Sequence, residues 1–163
     1  MGAATLAFAA TGAAAQGPPP KPLGKFGDWE AFAATDAGGK LCYAASLPKR
    51  SKNEPAGRGR AYLLVSDRPA DKSFGVFSLT AGFPLKKGAA AMLDVGGQRF
   101  DLYTVGDSAW SRDDKAVDAA LLKGKLATFV AYPAKGEPVA DEYGLAGFAE
   151  ARAAIDKECG GAK

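Results

Sequence analysis

The 163-residue sequence contains no histidine and only two cysteines. Without imidazole it lacks the usual general base, the commonest zinc ligand and the side chain that switches charge near neutral pH. Two cysteines alone cannot supply the four-ligand sets of a zinc site. Charge of one sign is also missing: 21 basic residues stand against 18 acidic ones, a net +3 that does not point to nucleic acid. No apolar run reaches the roughly 20 residues needed to cross a bilayer. Ser46, Ser66, Ser78 and Ser111 have no G-x-S-x-G setting and no histidine to activate them. The paired glycines of "DVGGQRF" lie between strands, whereas a phosphate loop joins a strand to a helix. No cofactor motif is present.

What remains is a chain of ordinary globular composition, 47% hydrophobic and 24% charged, with 21 glycines and 10 prolines. Such length fits one domain. "AATLAFAATGAAA", 3–15, is short, apolar and uncharged, ending in an Ala-x-Ala pattern before Gln16. It reads as a secretory signal over 1–15, with a truncated start because no Lys or Arg precedes it. Residues 16–25 then form a Pro-rich lead-in to a domain at 26–160. Within that domain about eight short strands are expected: 27–35, 40–47, 61–66, 74–83, a pair flanking Gly96-Gly97, and two near the end. Gly96-Gly97 is the strongest hairpin signal. Helical spacing of Ala116, Val117, Ala120 and Leu121, with Asp113 and Asp114 at the start and Gly124 as stop, predicts an inserted helix. "GFAEARAAIDKEC" predicts a second at the end. The fold class is an all-β antiparallel sandwich with these two helices.

Cys42 lies in an apolar strand, "KLCYAAS", without the base or cation that would activate a thiol. In an oxidising compartment an even pair is normally bridged, so Cys42 and Cys159 are expected to form a disulfide, with two buried free thiols as the alternative. Trp29 reads as packing; Trp110, placed in a loop before the inserted helix, is a candidate surface contact. "PKRSKNEPAGRGR" carries Lys49, Arg50, Lys52, Arg58 and Arg60 against the single acid Glu54. It is a connector or a candidate anion-binding loop for lipopolysaccharide phosphates, an acidic polymer or an acidic partner. Asp113 and Asp114 compensate a helix N-terminus. A rival reading makes Asp113, Asp114 or Glu142 part of a carboxylate-dependent hydrolase acting on envelope polymers.

Taken together, "FGDWEAF", "KLCYAAS", the long segment from "AYLLVSDRPADK" to "AWSRDD", and "YGLAGFAEARAAIDKEC" resemble the invasion-associated locus B family of bacterial envelope proteins. The likeness runs from about Phe26 to Cys159. It implies a signal-bearing protein of the periplasm or cell surface of a Gram-negative bacterium, with an immunoglobulin-like β-sandwich. It brings no catalytic residue, and it leaves an envelope or host protein as the implied partner. One departure stands out: Glu30, Ala31 and Phe32 follow Trp29 where many members carry a cysteine.

Overall fold

The structure, a computed structural model, describes residues 17–161. The expected signal segment at 1–15 lies outside the described residues. Eleven strands and two helices follow in the order β1 (Lys21–Phe26), β2 (Trp29–Asp36), β3 (Gly39–Ser46), β4 (Arg50–Lys52), β5 (Tyr62–Arg68), β6 (Ser73–Thr80), β7 (Ala91–Val95), β8 (Gln98–Val105), β9 (Ser108–Trp110), α1 (Asp114–Lys123), β10 (Leu126–Ala131), β11 (Val139–Gly144) and α2 (Phe148–Cys159).

Every ladder is antiparallel, in the order β1-β2-β3-β5-β6-β9-β8-β7-β10-β11-β4. β8 turns the corner between two layers: Gln98–Leu102 pairs with β7, while Tyr103–Val105 pairs with β9. The expected sandwich is therefore present, with its two layers joined through one shared strand. Gly96 and Gly97 both adopt positive φ between β7 and β8, as the tight hairpin requires.

Three strands exceed the expected eight. β1 occupies much of the supposed lead-in at 16–25, and its Pro22 is tolerated because β1 is an outermost strand. β4 is only "RSK", too short and polar to show a period. β9 is the tripeptide that holds Trp110, so this residue lies in a strand and not in a loop.

Burial follows strand parity. Trp29, Ala31, Ala33, Cys42, Ala44, Leu63, Val65, Phe77 and Leu79 point inward from the first layer, and Leu93, Val95, Leu102, Phe129 and Tyr143 from the second. α2 packs on the first layer against β1, β2, β3 and β5. Phe148 meets Trp29 at 4.7 Å between ring centroids, and the Trp29 indole N–H donates to the Gly144 carbonyl. α1 starts where β9 stops: beyond the short β9 ladder the Phe77 N–H donates to the Asp114 carboxylate at 3.1 Å. Asp113 caps the helix by accepting from the Ala116 N–H. Among the described residues no helix is long and apolar enough to cross a membrane.

Candidate functional site

The parity that fills the core leaves the other face of the first layer to Glu30, Phe32, Tyr43, Ala45, Tyr62 and Leu64. Antiparallel sheets with one solvated face ordinarily carry polar residues there. Here the solvated face carries rings on three adjacent strands. Phe32 and Tyr43 are direct cross-strand partners with centroids 5.2 Å apart and planes tilted by 27°. Tyr62 stands on the next strand, β5, which pairs with β3. These side chains floor an open groove of about 640 Å³, with Leu47 at its margin. Leu47 is 55% exposed although large and apolar.

Charged groups rim the groove in near balance. Lys25 and Glu30 pair at 3.4 Å on one side, beside Asp28, and Arg60 stands on the other. Arg60 has no ion-pair partner among the described residues. Burial, with the Tyr62 phenol as a smaller cause, raises the pKa of Tyr43 above its ordinary value. Its hydroxyl is therefore a protonated donor at neutral pH. The same face continues across the layer, where Leu64 opposes Ser78, Ser78 opposes Trp110, and Trp110 opposes Tyr103. The Arg112 guanidinium lies 4.7 Å over the Tyr103 ring. Trp110, half-buried, thus belongs to this outward row.

The five basic residues of the anion-loop reading do not form one patch. Lys49 pairs with Asp28 at 3.3 Å, and Arg50 with Glu142 at 3.6 Å. Lys52 is exposed in β4, opposite Ala140. Arg58 is the clearest correction, because its side chain is only 7% exposed. It forks onto buried Asp141 at 2.9 and 2.5 Å and donates through Nε to the Ala81 carbonyl at 2.8 Å. The Asp141 carboxylate also accepts from the Ser51 hydroxyl. These bonds strap the segment between β3 and β5 to β11. Only Arg60 joins the groove.

The carboxylates of the hydrolase reading are likewise committed elsewhere. Asp113 caps α1, Asp114 accepts from Phe77, and Glu142 pairs with Arg50. Burial raises Asp114 above the ordinary carboxylate range. Ser46 stands three residues before Lys49, an S-x-x-K spacing, but its buried hydroxyl donates to the Asp28 carbonyl. Lys49 is on the Asp28 carboxylate, so the pair is not arranged as nucleophile and base.

The expected bridge is present: Cys42 and Cys159 are disulfide-linked, with Cα atoms 6.0 Å apart. Beside it lies a cluster the sequence did not reveal. Asp67, fully buried, accepts from the Gly75 N–H at 2.8 Å and from Arg152 at 3.3 Å. Arg152 also reaches Asp118 at 3.2 Å and Asp156. Burial lifts Asp67 to about 6 and also raises Asp118. Strand parity held the only hint, since "YLLVSDR" puts Asp67 on the inward side with Leu63 and Val65.

The family model described as "Invasion associated locus B (IalB) protein" matches residues 29–156. The crystal structure of invasion associated protein B from Bartonella henselae is similar, with a TM-score of 0.58 and 21% identity over 83% of this chain and 96% of that one. At this identity the likeness supports the fold. No curated protein matches the sequence.

Proposed function

The chain belongs to the invasion-associated locus B family, and from that premise we propose that it is an exported, non-enzymatic binding protein of the bacterial envelope. Its binding surface is the aromatic groove of the first layer. The observation that carries this reading is the placement of Phe32, Tyr43 and Tyr62 on the solvated side of a sheet whose opposite side already holds the core. Large apolar side chains gathered on a surface mark interaction sites. The Cys42–Cys159 bond supports an oxidising compartment, the periplasm or the cell surface. A non-enzymatic role is supported by the commitment of Asp113, Asp114 and Glu142 to structural bonds.

The test is site-specific photo-crosslinking in the source bacterium, with the reactive residue at Tyr43 or at exposed Tyr132 beyond the end of β10. Osmotic release or surface proteolysis locates the protein in the same cells. Discrete adducts from position 43 and none from position 132 are expected. Retention in the cytoplasm, or identical adducts from both positions, overturns the reading.

A further inference from the structure

Deepening the groove reading, on which this inference rests, we propose that the groove of the first layer binds an uncharged, pyranose-containing glycan. The floor and rim have the two kinds of surface that a sugar ring presents. A pyranose offers apolar C–H faces and a girdle of hydroxyl groups. The floor supplies rings and aliphatic groups from Phe32, Tyr43, Ala45, Tyr62 and Leu64, and the rim supplies planar hydrogen-bonding groups from Glu30 and Arg60. Phenol hydroxyls add donors and acceptors within the floor itself.

Spacing and charge narrow the ligand. Phe32 and Tyr43 are direct partners on strands about 4.8 Å apart, while Tyr62 lies on β5 four residues from Ser66, the partner of Tyr43, about 13 Å further along the strand direction. The rings therefore mark an oblique path along the groove, and a chain of a few sugar residues is long enough to reach from the Phe32–Tyr43 pair to Tyr62. The charged side chains lining the groove are Lys25, Asp28, Glu30 and Arg60, two of each sign. Lys25 and Glu30 neutralise one another directly and Lys49 neutralises Asp28, which leaves Arg60 as the single unpaired charge of the groove among the described residues. A groove for a polyanion would hold an excess of cations, and one for a basic peptide an excess of acids. This balance suits a neutral polar chain. Bacterial envelopes display such glycans on the route of any exported protein.

The experiment is a titration of the purified mature protein, followed by amide and aromatic NMR shifts. The probes are cellohexaose, maltohexaose, the N-acetylglucosamine hexamer and the anionic galacturonic acid hexamer, each up to about 5 mM, where contacts worth only ~3–4 kcal/mol register. At least one neutral hexamer should shift Phe32, Tyr43 and Tyr62 with saturation, and the anionic one should bind more weakly. Phe32→Ala should weaken binding about tenfold, the loss of one aromatic contact with its buried area. Because a floor variant can disturb the sheet, Arg60→Ala at the exposed rim should weaken binding too, while Tyr132→Ala leaves it unchanged. No saturable shift with any neutral hexamer, preference for the anionic one, or the same shifts on concentrating the protein alone overturns the glycan assignment. Groove crosslinks to a protein in cells, with no sugar binding in the tube, would overturn the glycan and leave the interaction surface standing.

Discussion

Cys42 and Asp67 sit directly opposite one another on β3 and β5, and each holds the same helix. Cys42 takes Cys159 covalently, while Asp67 takes Arg152 two turns earlier on α2. One covalent and one ionic clamp therefore seat the last element of the domain on the first layer.

The covalent clamp closes a loop of 117 residues, so its effect on the unfolded chain is large. Cys159→Ser should lower stability in urea by about 2–5 kcal/mol. Thiol titration of unreduced, denatured protein from the envelope should find no free thiol. Two titratable thiols would refute the bridge in the cell.

For the ionic clamp, Arg152→Met should cost about 3–5 kcal/mol, because it leaves Asp67 buried without a cation. Arg68→Ala, which breaks an exposed pair with Asp36, should cost far less, because solvent screens that pair. Equal losses in denaturant melts would show that burial of Asp67 is unimportant.

Acid should have an unusual effect. Asp67 titrates at about 6 in the fold, against 3.8 ordinarily, because burial disfavours its charge and Asp156 lies beside it. The folded state then binds more protons than the unfolded one between those values. Stability from this group is complete below about pH 4 and is lost as pH rises through about 6. Asp118 shifts in the same direction, again through burial. Asp36, held down at about 2 by Arg68, acts oppositely, and only as pH falls below about 4. Thermal melts of the parent should therefore fall between about pH 4 and 6, and Asp67→Asn should flatten that slope. An unchanged slope in the variant would place the proton elsewhere.

Arg58→Lys should fail to replace the parent residue. The guanidinium makes a two-point bond to Asp141 and a third bond to the Ala81 carbonyl, a geometry an ammonium cannot copy. Limited proteolysis of the variant should cut between β4 and β5, where the parent resists. Equal resistance would mean that β4 pairing alone fixes this segment.

Much of this architecture is legible in the sequence because burial imposes a period. Asp113, Asp114 and Gly124 bracket α1 as written, and Gly96-Gly97 turns β7 into β8. The disulfide follows from arithmetic and compartment. β1, β4 and β9 escape because edge pairing and three-residue ladders leave no alternation to detect. The structural role of Arg58 is hidden in the sequence for another reason. A cation in a Gly- and Pro-rich stretch looks solvated unless its acid, 83 residues away, is known to face it. The groove is half legible: once Trp29 is inward, Phe32 must be outward, but adjacency of Phe32, Tyr43 and Tyr62 depends on strand order. Only the folded sheet shows that.

The shared strand β8 has a consequence for how copies of this protein coexist. Among the described residues β1 and β4 are the outer strands of the ladder, and at the corner Gln98–Leu102 of β8 has β7 alone as its partner. β1 is interrupted by Pro22 and a register shift at Gly24, and β4 is three residues long with Arg50 and Lys52 exposed. Neither margin can template a further strand from a neighbour. Addition of a strand from a neighbouring copy is thus disfavoured at both outer margins, while the aromatic rings of the groove stand on the inner strands β2, β3 and β5.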